Sequence, residues 1–296
     1  MPSLKEVKNR ITSVVSTQQI TKAMKMVAAA KLRRSQDRIT QLRPFAQKLN
    51  AIIQNLSAAQ SDNDADSWYS EVREPRRILI IAVSSDRGLC GSFNSNVFKD
   101  VLRLIDEKYH TQYRQGNVSI LPIGKKASDF FTKRREAKVN SDYALLFASL
   151  GFENVSGAGD YIIESFRNDV YDRVELVYNE FKNVATQILR TEQLLPILPP
   201  PAGKVSGAQI DYIYQPEQQQ ILTGLIPKSI KIQLFKALLD SNASENGARM
   251  TAMDKATENA GELLKELKLT YNRTRQAAIT KEILEIVGGA EALKSS

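Results

Sequence analysis

From Ser3 to Ser57 the chain contains no glycine and a single proline, Pro44. Apolar residues in that stretch recur in alternating steps of three and four: Leu4, Val7, Ile11 and Val14, then Leu42, Phe45, Leu49, Ile52 and Leu56. That spacing is the seam of a coiled coil, in which one stripe of each helix faces a partner. A helix over these residues would be ~80 Å long at about 1.5 Å per residue, too long to pack inside one small domain. Pro44 is expected to bend it or mark a local break, because its nitrogen carries no proton and its ring crowds the preceding turn. Between the two good stretches the seam weakens. Gln18 takes a seam position, Ile20, Met24 and Val27 form a shifted patch, and Ala28-Ala29-Ala30 is a strong helix former with almost no side chain.

A second long helix closes the chain. From Lys228 to Val287 there is no proline, and the only glycines are Gly247 and Gly261. Leu263, Leu264, Leu267, Ile283, Leu284 and Val287 supply apolar contacts, interrupted by the less apolar Thr270–Ala278 stretch. This helix approaches ~90 Å on the same rise per residue. Pro216 suits the first turn of a helix, and Pro227 implies a break or a new start.

The middle of the chain has another character. Arg77–Ser84 and Asn117–Gly124 are short, mostly apolar runs, the pattern of buried parallel strands. Arg173–Phe181 alternates and reads as a third strand, and Gln187–Leu198 offers a fourth before Pro199-Pro200-Pro201. Helical patterns fall between them at about Ser95–His110, Lys125–Arg134 and Ala158–Asp169. Strands alternating with helices specify an open α/β sheet. The polar segments 58–75 and 202–215 read as linkers. The expected fold class is therefore α/β: a long antiparallel coiled coil of the N- and C-terminal helices with an inserted open, Rossmann-like α/β domain. The expected divisions are a helix over 1–57, a linker over 58–75, the α/β domain over 76–201, a linker and short helix over 202–227, and a helix over 228–296.

Counting excludes several chemistries. Cys90 is the only cysteine and His110 the only histidine, so an internal disulfide and a Cys/His metal cluster are both ruled out. His110 lies in a polar stretch and reads as an exposed residue near a helix end. Ser85-Asp86-Arg87-Gly88-Leu89-Cys90-Gly91 follows a buried strand, where open α/β sheets bind ligands. It matches neither phosphate-loop pattern, and Gly124-Lys125-Lys126 lacks the upstream glycine of a P-loop. Its glycines read as a tight turn, Asp86 as a cap or a partner of Arg87, and Cys90 as a packed thiol. The start, Met1-Pro2-Ser3-Leu4-Lys5, lacks a secretory apolar stretch, and no run of 18 apolar residues appears.

Charge is unevenly placed. Residues 1–57 hold eleven Lys/Arg against two Asp/Glu, a local net of +9 in a chain whose total is +8. Such a stripe points to an acidic partner. Nucleic acid is the weaker candidate, because no aromatics interleave the lysines and no recognition module follows.

Three segments, in order, resemble the γ-subunit family of F-type ATP synthases. They are Ile20-Thr-Lys-Ala-Met-Lys-Met-Val-Ala-Ala-Ala-Lys31, then Ser84-Ser-Asp-Arg-Gly-Leu-Cys-Gly-Ser-Phe-Asn94, then Arg249-Met-Thr-Ala-Met-Asp-Lys-Ala-Thr-Glu-Asn-Ala-Gly261. The last continues through Tyr271–Glu282 to Ile286-Val-Gly-Gly289. Residues 132–160 and the linkers carry the least resemblance.

The resemblance implies a rotating central shaft, without catalytic residues or cofactor, that couples proton flow to ATP synthesis or hydrolysis on other subunits. It implies as partners the α and β subunits of the ring, an ε subunit and the membrane c-ring, with peripheral attachment to a membrane; the lone Cys90 and the lack of an evident transit peptide favour the cytoplasmic side of a bacterial plasma membrane over a mature mitochondrial chain. Met24, Lys25, Arg275, Gln276 and Thr280 would be coupling contacts to catalytic subunits, with Met24-Lys25 beside Arg275-Gln276 on the facing helix. Lys22, Lys25, Lys31, Arg33 and Arg34 would face an acidic loop of each catalytic subunit. Ile283, Leu284, Ile286 and Val287 would form a bearing tip in an apolar sleeve. The cysteine-pair switch of plastid members cannot operate with Cys90 alone. The competing class is a basic coiled-coil nucleotide- or nucleic-acid-binding protein, which requires a phosphate loop that the chain does not display.

Overall fold

The computed structural model describes residues 3–58, 68–69, 71, 73–134, 137–197 and 218–294. The linker segments around 59–67 and 202–215, with Pro216, lie outside the described residues. The elements run α1 (Leu4–Ala58), β1 (Ile78–Val83), α2 (Phe93–Lys108), α3 (His110–Arg114), β2 (Val118–Ile123), α4 (Lys125–Arg134), β3 (Lys138–Val139), a short 3-10 turn (Leu146–Ser149), α5 (Phe152–Arg167), β4 (Arg173–Phe181), β5 (Gln187–Leu195) and α6 (Gln218–Lys294). The chain divides into two compact units: residues 1–28 with 250–296, and residues 29–249.

In the 29–249 unit the strand order is β3-β2-β1-β4-β5. β1 pairs in parallel with β2 and β4, β2 in parallel with β3, and β5 runs antiparallel to β4 at the edge. Side chains alternate between the two faces of β1. Ile78, Ile80 and Ala82 pack under α2 and α4 with Val97, Val101, Ile105, Ala127 and Phe131. Leu79, Ile81 and Val83 pack on the other face with Val155, Ile162 and Phe166 of α5 and Ile226, Ile230 and Leu234 of α6. Burial on both faces is why β1 reads as a continuous apolar run. Gly159 lets α5 approach α6: a Cβ there would lie 2.7 Å from the Lys231 side chain.

The breaks expected at the two prolines are corrected. α6 runs from Gln218 straight through Pro227, and α1 runs through Pro44. An interior proline costs roughly 3 kcal/mol of helix stability. Beside Pro227, the buried Ile226 and Ile230 anchor the helix on the sheet, and that burial outweighs the lost backbone bond. The sequence patterns also missed β3, α3 and the first six residues of α5.

The seam of α1 holds one register from Leu4 to Leu49, and the expected seam residues Ile52 and Leu56 lie outside the described side chains. In the 1–28 unit its buried or half-buried positions include Leu4, Val7, Ile11, Val14, Gln18, Thr21, Lys25 and Ala28. In the 29–249 unit the same count of three and four continues at Leu32, Ser35, Ile39, Leu42, Ala46 and Leu49. The shifted patch is therefore corrected: Ile20 and Val27 are exposed, and Met24 is half-buried next to the seam. Phe45 is exposed too, and Ala46 takes its place.

Candidate functional site: surfaces of the two long helices

The 1–28/250–296 unit is a two-helix pair with a polar middle. The Thr21 hydroxyl donates to the Gln18 carbonyl of its own helix, and the Thr257 hydroxyl, 2.8 Å from the Thr21 oxygen and 2.7 Å from the Met253 carbonyl, gives its single proton to one or the other. The Gln18 amide donates to the Thr257 carbonyl at 3.4 Å, and a Cβ at Gly261 would lie 3.2 Å from that amide. Lys25 pairs with Asp254. Threonine, glutamine and glycine thus replace the leucines that would otherwise knit this stretch.

This antiparallel register relocates one expected cluster. Lys25 faces Asp254, which lies about 21 residues, or roughly 30 Å of helix, from Arg275. Met24 and Lys25 therefore do not sit beside Arg275 and Gln276. The α1 residue opposite Thr274 is about Leu4, where α1 begins. Arg275 and Gln276 are exposed, as is Thr280, whose hydroxyl donates to the Gln276 carbonyl at 2.9 Å.

Past this point α6 has no α1 beside it. Every described side chain from Ile279 to Ala290 is exposed. Ile279, Ile283, Leu284, Ile286 and Val287 show between 46% and 71% of their surface. Five large aliphatic residues on a solvated helix form an apolar surface of a kind that isolated soluble proteins keep small. Lys22 is exposed in the same unit.

In the 29–249 unit, Lys31, Arg33 and Arg34 are exposed on α1. Between β1 and α2 the predicted tight turn is present, with positive φ at Leu89 and Gly91. Asp86 accepts from the Lys125 backbone N–H at 3.0 Å and so caps α4. The Ser84 hydroxyl accepts from the Ala127 N–H at 2.8 Å. Cys90 is buried, and burial pushes its thiol pKa up. Sequence reasoning missed the residues that hold this turn from α6. The Arg249 guanidinium donates to the carbonyls of Arg87 and Gly88 at 3.2 and 3.3 Å and to Glu245 at 2.6 Å. Burial pushes the Glu245 pKa up, and Arg249 partly offsets it. The signal for this clip is absent from local pattern, because its ends are about 160 residues apart. Among the described residues no acidic, His or Cys cluster suits a metal ion, and no helix is long and apolar enough to cross a membrane.

A polar-seamed antiparallel helix pair, a helix end left bare and apolar, and a sheet domain whose turn is tied to the same long helix define a coiled-coil stalk protein with an inserted α/β domain. The family model described as ATP synthase matches residues 3–293. The chain is 60% identical to the ATP synthase gamma chain of Cytophaga hutchinsonii, covering all of both chains, and 53% identical to that of Flavobacterium johnsoniae, covering 99% of each. It also superposes on a chain of the Tetrahymena thermophila mitochondrial ATP synthase central stalk and c-ring with a TM-score of 0.56 and 26% identity, over 80% of this chain and 99% of that one. The chain belongs to the ATP synthase gamma chain family.

Proposed function

We propose that this chain is the noncatalytic rotating shaft of a proton-translocating ATP synthase on the cytoplasmic side of a bacterial plasma membrane. The observation that carries this reading is the bare end of α6: five exposed aliphatic residues on a helix without an α1 partner need an apolar sleeve from another chain. A ring of α and β subunits would supply it, with Ile283, Leu284, Ile286 and Val287 as the bearing. Arg275, Gln276 and Thr280 stand exposed one to two turns below and would meet a catalytic subunit, Arg275 through bidentate carboxylate contacts. Lys22, Lys31, Arg33 and Arg34 would face an acidic loop in turn, by an attraction long-ranged enough to need no single register. Lys25 enters that set with its charge already shared with Asp254, and Met24 is half-buried. The ε subunit and the c-ring would bind elsewhere on the chain, and the chain would reach the membrane only through them.

The test is Arg275→Ala in membranes carrying the assembled complex. Proton-driven ATP synthesis should fall several-fold while the amount of assembled complex stays within about twofold. Normal synthesis with the variant would remove Arg275 from the coupling surface. A pull-down from native membranes that fails to recover the ring subunits would sink the shaft reading itself.

A further inference from the structure

Within the 29–249 unit, α1, β4, β5 and α6 line a cleft of about 430 Å³ that opens to solvent beside the half-exposed Arg43. Asp240 of α6 lies on its wall with 1% of its surface exposed, and neither carboxylate oxygen has a hydrogen-bond partner. The Arg43 guanidinium of α1 approaches to 4.0 Å, beyond hydrogen-bond range. Lys236, one turn earlier on α6, also lines the cleft. The other acidic groups already have partners: Glu180 of β4 accepts from Arg190 at 2.7 Å, and Glu192 of β5 accepts from the Tyr178 hydroxyl of β4 at 3.1 Å. A bare carboxylate this deep is stable only if it is neutral or finds water or a cation.

We propose that Asp240 is a proton-operated switch in the packing of α1 and α6 on the sheet: protonated, it lets that packing stay closed, and ionised, it drives the cleft wider towards water and Arg43. Burial raises the Asp240 pKa most, Lys236 and Arg43 lower it, and Glu180 and Glu192 raise it again, leaving it at about 6 against 3.8 for a free aspartate. The sign follows from linkage. A folded pKa above the unfolded one gives a stabilisation that is complete below the unfolded value and lost as pH rises through the folded value. Closed packing is therefore favoured in acid, and opening grows as pH rises from 3.8 towards about 6 and levels off above it. The inference does not depend on the shaft reading.

Hydrogen exchange on the full chain between pH 5 and 8, corrected for intrinsic rates, tests it. Backbone amides of residues 39–46 and 229–244 should open up to about tenfold more often at pH 8 than at pH 5. Asp240→Asn, equal in shape and uncharged, should hold the acid level of opening across the range. Arg43→Ala removes a cation that favours the ionised form, so it should move the midpoint to higher pH. Identical pH profiles for wild type and Asp240→Asn would overturn the proposal, as would faster opening of that variant at pH 8. If Asp240→Asn does not fold, an Arg43→Ala midpoint that stays put or falls overturns it equally.

Discussion

The same three-and-four register runs along α1 in both units, yet it is filled with opposite materials. In the 29–249 unit Leu32, Ile39, Leu42, Ala46 and Leu49 meet α6 residues such as Leu239, Ala243 and Ile232, and the sheet lies behind. In the 1–28/250–296 unit Gln18, Thr21 and Lys25 meet Thr257, Gly261 and Asp254, with water on both sides. The first seam is held by apolar burial, which scales with area. The middle of the second, from Gln18 to Lys25, is held by polar contacts worth far less each, which specify register more than they add stability, while Val7, Ile11 and Val14 keep its outer part apolar. A helix pair that must present its outer surface to partners can be thin where it is alone and tightly packed where a domain supports it.

Four variants would sharpen or break that comparison. The largest effect is expected for Leu234→Ala, which empties a fully buried site between α6 and the sheet. It should cost about 2–5 kcal/mol in urea unfolding. Leu264→Ala, on the half-buried seam of the other unit, should cost only about 1–2 kcal/mol, read as faster exchange of amides in residues 7–18. Equal costs for the two would remove the distinction between the seams. Thr21→Val with Thr257→Val replaces a hydroxyl pair by two matched apolar surfaces, and the hydroxyl oxygens also lie within bonding reach of the Gln18 and Met253 carbonyls of their own helices. Thermal unfolding of the double variant should shift upward, by no more than about 1 kcal/mol of stability. A clear loss would mean that the hydroxyl pair itself holds the helices together. The smallest effect is expected for Asp254→Asn: the Lys25 pair is half exposed, so it should cost under about 1 kcal/mol and fade as salt is raised.

Much of this was legible before any coordinates. Period-two and period-3.6 patterning located β1, β2, β4 and β5 and most of their helices, because burial on both faces of a sheet demands apolar runs. Two-residue β3 carried too little pattern to read. Pro227 misled, since the helix penalty of proline is local while the anchoring of Ile226 and Ile230 is not. Ile20, Val27 and Phe45 misled in another way: they are apolar and helix-spaced, yet they point outward. Of the candidate surface, Arg275, Gln276, Thr280 and the bare aliphatic end could be named only through the resemblance to the γ-subunit family. Their exposure, and the distance of Lys25 from them, required the pairing of the two helices.

The sequence by itself determined where the long helices and strands lie, that one helix carries the excess positive charge, and that Cys90 and His110 support neither a disulfide nor a Cys/His metal site. Those properties are written in composition and in spacing along one chain. Only the tertiary structure decided that Lys25 answers Asp254, that Arg249 ties down the turn after β1, and that Asp240 lies bare in a cleft. Each of those depends on residues more than 160 positions apart, or on a carboxylate left without a hydrogen-bond partner, and neither leaves a local trace in an amino-acid pattern.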